Sequence, residues 1–270
     1  MTDLHDVLAA IDGWGAEHAA ACLLGPGGLL AGRGDLGVRY RWASVTKLVT
    51  ALAVLIAADR AVLDLDEPAG PPGATVRHLL AHASGLPFEG TTVLAAPGTR
   101  RIYSNPGFDA LGALVEERSG LPFEAALRGW VLAPLGMDAT RLIGRPSEGL
   151  EGPIGDLGRL AGELLHPTLV TPETSRLART VAFPGLVGIV PGVGRFDPCD
   201  WGLGPELHDG KIPHWMSDRN SPATFGHFGG AGTFLWVDPV AELALGVLTD
   251  RDFGPWALEA WPALSDVVLT

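Results

Sequence analysis

Ser44-Val45-Thr46-Lys47 is where residue types and spacing in this chain first suggest chemistry. The lysine is one of only two in 270 residues, Lys47 and Lys211, and it interrupts an apolar run from Ala43 to Ala58. Ser44 lies three positions earlier, one turn away on the same face of a helix. Burial in such a run pulls an amine pKa downward, and an amine beside a hydroxyl is a way to activate a nucleophile. A serine at a helix start also offers its backbone N–H as an unpaired donor to a developing oxyanion. The plain alternative is a capping serine followed by a lysine whose stem snorkels to solvent. Nine serines and two lysines make a chance S-x-x-K pairing rare in this chain.

Two further stretches fit the same chemistry. Tyr103-Ser104-Asn105 sits in a loop rich in Pro and Gly, and Tyr103 is one of two tyrosines. A phenol beside a lysine can exist partly as phenolate and relay a proton to a leaving group. Asn105 can donate to a substrate carbonyl and hold the lysine. Read alone, this stretch is a turn asparagine beside a packed tyrosine. In His227-Phe228-Gly229-Gly230, glycines on a strand permit close approach of a ligand to backbone. The Gly230 N–H is then a second oxyanion donor, paired with that of Ser44. Read alone, this stretch is a glycine-rich bulge with a surface histidine.

Other candidates are weaker. His78 and His82 have a four-residue spacing that suits zinc, but no third ligand is suitably placed, so no metal is expected. His82 is expected to hydrogen-bond a nearby turn. Trp215 precedes the third motif and is a candidate lining of the acyl pocket. Asp64, Asp66 and Glu67 read as a solvated helix exit. Cys22 and Cys199 have neither disulfide-framework nor metal spacing and read as small core residues.

The elements that must position these residues follow from hydrophobic pattern. Residues 20–24 and 29–33 flank a Gly-Pro-Gly-Gly turn and predict a hairpin. A long helix is predicted over about residues 44–58. Leu4, Val7, Leu8 and Ile11 suggest a short amphipathic helix before it. Short helices broken by Pro and Gly fill the middle, with helical spacing at 111–118, 123–132 and 154–165. Three β-type runs follow at 225–230, 233–237 and 243–249, then a final helix through Trp256 and Leu264. Strands at both ends and helices between them predict an α/β (α+β) fold. One antiparallel sheet is flanked by terminal helices and carries an inserted, mostly helical lobe. The expected division is a discontinuous sheet domain of residues 1–60 and 215–270 and an insertion of 61–214. The active site would lie in the cleft between them.

Composition restricts the partners. The chain is 47% hydrophobic and 19% charged, with net charge −12 and no basic run. That balance argues against nucleic acid and anionic membrane and for a small-molecule substrate. The N-terminus lacks a signal-peptide pattern and the apolar run at Lys47 is too short to span a bilayer, so a cytoplasmic location is expected.

The three motifs, in this order, resemble the serine β-lactamase and penicillin-binding-protein superfamily, known through S-x-x-K, S-D-N and K-T-G. Tyr103-Ser104-Asn105 stands for the second motif and His227-Phe228-Gly229 for the third. This is similar to the branch holding class C enzymes, D-alanyl peptidases and family VIII esterases. Residues 79–87 (LLAHASGLP), 134–137 (PLGM), 201–204 (WGLG) and 236–239 (WVDP) agree with that branch, and the likeness spans about residues 36–250.

Position by position, the resemblance implies Ser44 as acylated nucleophile and Lys47 with Tyr103 as the base system. It implies Asn105 as anchor of substrate and lysine, with no cofactor. One departure bears on substrate. The lysine that attracts a substrate carboxylate in true β-lactamases is His227 here, and a neutral imidazole supplies little of that charge at pH 7. A carboxylesterase acting through an acyl-enzyme is therefore the first expectation. β-Lactamase or D-amino-acid peptidase activity on an amide comes second, and a catalytically silent binding protein is the alternative of a different class.

Overall fold

The computed structural model describes residues 7–270. Leu4, the first residue of the expected N-terminal amphipathic helix, lies outside them. The remainder of that segment forms a 3-10 helix, Leu8–Gly13, with Leu8 and Ile11 buried.

The central sheet has six strands joined antiparallel throughout. In chain order its strands are β1 (Ala19–Gly25), β2 (Gly28–Gly34), β9 (Glu206–Leu207), β10 (Phe225–Gly229), β11 (Thr233–Asp238) and β12 (Leu243–Thr249). Their spatial order is β2-β1-β12-β11-β10-β9, so the two ends of the chain meet where β1 pairs with β12. The expected hairpin and the three expected C-terminal strands are all present. Among the described residues two small sheets complete the β-structure. One joins β3 (Tyr40–Arg41), β5 (Arg141–Leu142) and β6 (Leu150–Gly152), and the other joins β4 (Arg101–Ile102), β7 (Gly188–Val190) and β8 (Gly194–Phe196).

Both faces of the central sheet are covered, which explains why its strands read as apolar runs rather than a strict alternation. Leu23, Phe234, Trp236, Leu245 and Val247 face one apolar cluster with Leu8, Ile11 and Trp261. Trp261 belongs to the C-terminal helix, Pro255–Val268. Cys22, Leu24, Leu235, Val237 and Leu248 face the other, larger cluster. Two helices of that side are α1 (Thr46–Asp59), buried from Thr46 to Ala57, and Ile154–Leu165, where Gly158 sits over Cys22.

Cys22 and Cys199 are both free and buried, as small core residues should be. The helical region also contains α2 (Val76–Leu80), α3 (Asn105–Ser119) and α4 (Phe123–Leu127), the last continued by a π-turn over Arg128–Leu132. No helix among the described residues is long and apolar enough to cross a membrane.

Candidate active site

The three motifs converge on one cleft of about 480 Å³, whose lining includes Ser44, Tyr103, Asn105, His227 and Gly230. Ser44 lies in a 3-10 turn, Ala43–Val45, that runs directly into α1. Ala43 ahead of it has φ +46°, a left-handed conformation that costs an alanine about 1 kcal/mol or more. Contacts to the sheet hold this turn. Thr233 Oγ1 donates to the Trp42 carbonyl at 2.9 Å. Gly229 lacks the Cβ that would come within 2.5 Å of that same carbonyl and 3.0 Å of Ala43. Glycine at 229 is therefore what lets β10 close against the Ser44 turn. Gly230 faces open space on the cleft wall.

Lys47 is wholly buried, not snorkelling. Its ammonium has three N–H donors, and three acceptors surround it. Ser44 Oγ is at 3.1 Å, Asn105 Oδ1 at 2.6 Å and the Ser147 carbonyl at 2.9 Å. Burial pushes its pKa down to about 7, with Arg145 pushing the same way and Glu148, Asp109 and Glu89 opposing. A substantial neutral fraction thus exists at neutral pH, with a lone pair within reach of the Ser44 hydroxyl. The Tyr103 ring lies 4.8 Å from Nζ.

Asn105 opens α3, where Ser104 is the N-cap, its Oγ accepting from the Gly107 N–H at 3.1 Å, and Pro106 follows. Ser104 is a structural residue. The Asn105 amide has its orientation dictated from outside, because Glu89 Oε1 accepts from Nδ2 at 2.7 Å and a carboxylate can only accept. Oδ1 must then face Lys47. Glu89 is bound by Arg145 (Nη1 to Oε2, 3.1 Å), and Arg145 binds Asp109 through Nε at 2.8 Å. Asp109 Oδ1 accepts from the Ser147 N–H at 3.2 Å. The result is a closed ring, Lys47–Asn105–Glu89–Arg145–Asp109–Ser147–Lys47. Glu89, Arg145, Asp109 and the Ser147 carbonyl had no local signal in the sequence, since each acts across tens of residues.

Tyr103 is held by aromatic contacts. His82 stacks on it with ring centroids 4.4 Å apart, and Phe88 stacks from 5.7 Å. His82 Nδ1 accepts from the Ser104 N–H at 3.1 Å, which is the expected bond to a nearby turn. Burial drives the His82 pKa well below its usual value, so a neutral ring supports the phenol. Burial likewise raises the Tyr103 pKa far above the ordinary phenol value, more than the neighbouring Ser44 hydroxyl lowers it. The partial phenolate expected from the sequence is therefore not the resting form. Tyr103 stands as a neutral phenol with a proton to give.

His227 is also buried, and burial together with Lys47 lowers its pKa to about 3. Its Nδ1 lies 2.7 Å from the Phe228 carbonyl, which can only accept, so Nδ1 carries the proton. Nε2 is then a bare acceptor, 3.5 Å from Tyr103 Oη. The expected surface alternative for His227 does not hold. With its pKa lowered, the imidazole is uncharged at pH 7.

Two other sequence candidates lie elsewhere. His78 caps α2, its Nδ1 accepting from the Thr75 N–H at 3.2 Å, and it stacks on Phe183. Among the described residues no group of three or more His, Cys, Asp or Glu is arranged to hold a metal ion. Trp215 does not line the cleft. It is packed against Phe228, Phe234 and Trp261, and its indole donates to Glu206 at 2.8 Å. Trp201, Phe228 and Phe253 supply the aromatic lining instead.

A serine, a buried amine and a neutral phenol gather at one cleft where the starts of α1 and α3 meet β10, an arrangement suited to serine hydrolysis. The chain belongs to the β-lactamase family of serine hydrolases, which it matches over residues 35–269. It is similar to a β-lactamase from Mycobacterium bovis of known structure. The two are 51% identical, the match covers 97% of this chain and 98% of that one, and the TM-score is 0.96.

Among curated relatives, esterase EstB of Burkholderia gladioli is 33% identical over 145 residues, covering 36% of this chain and 37% of that one. Penicillin-binding protein 4* of Bacillus subtilis is 27% identical over 139 residues, covering 39% and 31%. The matched segments thus span only about a third of the length of these curated relatives. A putative β-lactamase from Bacteroides dorei, 19% identical with TM-score 0.85 over 99% of this chain and 98% of that one, shares the fold.

Proposed function

We propose that this protein is a carboxylesterase that works through an acyl-enzyme on Ser44. In the first half-reaction neutral Lys47 takes the Ser44 proton as Oγ bonds to the substrate carbonyl carbon. The N–H groups of Ser44 and Gly230 receive the developing oxyanion. The carbon–oxygen bond to the alcohol then breaks, Tyr103 gives its phenol proton to the departing alkoxide, and Lys47 returns a proton to Tyr103. In the second half-reaction a water replaces the alcohol and the same transfers run in reverse, releasing the acid and restoring Ser44. The observation that carries this reading is the 3.1 Å contact between Ser44 and a buried lysine whose pKa is lowered to about 7.

The choice of ester rests on charge. His227 is neutral where a carboxylate-attracting lysine would stand. The cleft sets the single cation Arg41 against Glu148 and Asp252. A substrate with a carboxylate next to the reacting carbonyl gains little there.

The second reading, β-lactamase or D-alanyl peptidase activity, is favoured by the 51%-identical relative named a β-lactamase. Labelling distinguishes the readings. A fluorophosphonate is expected to label Ser44 strongly and a fluorescent penicillin weakly. Stronger penicillin labelling would put the second reading first, and no adduct from either reagent would point to a silent binding protein.

A further inference from the structure

A second groove, of about 380 Å³, adjoins the cleft and shares Phe88, Tyr103 and Pro191 with it. Its charge is unlike that of the molecule. The chain carries −12, yet this groove is lined by Arg100, Arg101 and Arg195 and by no carboxylate.

Arg101 is structural. It is buried and donates to the carbonyls of Cys199, Ala81 and Ala182 at 2.9, 2.5 and 2.8 Å. The other two are available. Arg100 is exposed and has no carboxylate within 4 Å among the described residues. Arg195 makes only a 3.7 Å contact to Asp197, with both side chains more than half exposed, a geometry worth little in water. The remaining wall is apolar and open. Phe88, Leu94 and Ile189 are 51%, 59% and 58% exposed although they line the same groove. Large apolar side chains gathered beside a reactive cleft mark a binding surface.

We propose that this groove holds the far arm of the substrate, and that the arm is apolar and ends in an anionic group, a carboxylate or a phosphate. The inference rests on the ester-hydrolase reading. It also accounts for the charge pattern as a whole. The cation missing beside Ser44 reappears one groove away, so the substrate is neutral at its reacting end and charged at its distant end. Apolar contact along Phe88, Leu94 and Ile189 supplies affinity, and Arg100 with Arg195 supplies selectivity.

The test uses matched esters. Mono-4-nitrophenyl suberate, its ω-phosphate analogue and the neutral methyl 4-nitrophenyl suberate are compared in kcat/KM, and butyrate esters with the same end groups on the alcohol arm serve as a second series. A preference for an anionic arm of about tenfold is expected in one series, carried mainly by KM and weakened by salt. Arg100→Ala and Arg195→Ala should each erode that preference while leaving the neutral ester unchanged. The more favoured head group then tells carboxylate from phosphate. Lack of preference in both series, or a preference that both variants keep, overturns the proposal.

A binding measurement separates this outcome from failure of the hydrolase reading. Calorimetric titration of Ser44→Ala with monomethyl suberate and dimethyl suberate reads the groove without turnover. Tighter binding of the anion that disappears in the arginine variants supports the groove even for an inactive enzyme. Equal binding of the two compounds rejects it.

Discussion

At the scale of single residues, the site depends on taking three titratable side chains out of water. Burial lowers the Lys47 pKa to about 7, keeps Tyr103 protonated and keeps His227 uncharged. The first prediction follows from these states. Lys47 must be neutral to accept the Ser44 proton, so kcat/KM for a neutral ester should rise with pH through about 7. With the Tyr103 pKa displaced upward, no fall should follow up to about pH 10, the range where an ordinary phenol ionises. A stopped-flow profile checks both limbs. A descending limb near that pH would mean that Tyr103 ionises as an ordinary phenol.

At the scale of elements, the site is a meeting of α1, α3, the Ser147 loop and β10. The ring through Glu89 and Arg145 links the first three. Arg145 lowers the Lys47 pKa and Glu89 raises it, so removing each should displace the activity profile in opposite directions. Arg145→Ala should move the acid limb upward and Glu89→Gln should move it downward, each by roughly half a unit because both side chains are partly solvated. Glu89→Gln should also lower kcat, since a glutamine can present either end of its amide and no longer fixes Asn105. Shifts of the same sign in both variants would show that the ring acts on folding rather than on Lys47.

Much of this level was legible in the sequence. The continuous apolar run around Lys47 predicted the helix, and the Gly/Pro turns predicted the hairpin and the C-terminal strands. The ring was not legible, because Glu89 and Arg145 meet across 56 positions of chain and no local pattern marks either. Trp215 was misplaced for a related reason. Nearness in sequence to the third motif did not reveal that its ring turns to the opposite face of the sheet.

At the scale of the whole molecule, the second lysine sits in a buried polar cluster that ties the β9 edge of the sheet to the segment following it. Lys211 donates to the carbonyls of Asp200, at 3.0 Å, and Leu207, and lies 3.8 Å from Glu206. Glu206 is contacted by His214 Nε2 at 2.9 Å and by the Trp215 indole. Burial alone would raise the Glu206 pKa, but His214, Lys211 and Trp215 outweigh it and hold the carboxylate at about 2. A depressed acid stabilises the fold above its unfolded pKa of 4.5, and that contribution is lost as pH falls toward about 2. Glu206→Ala should therefore cost roughly 3–5 kcal/mol in urea denaturation at pH 7, because it leaves buried donors and a lysine without their anion. The penalty should shrink between pH 4.5 and 2. A pH-independent penalty would instead assign the effect to lost packing.

In the proposed mechanism Ser44 carries the acyl group. The most direct test is intact-mass spectrometry of the protein quenched during turnover of 4-nitrophenyl butyrate. One butyryl adduct on Ser44 is expected in the wild type, and neither adduct nor turnover in Ser44→Ala. Undiminished hydrolysis by Ser44→Ala, or an adduct on any other residue, would contradict it.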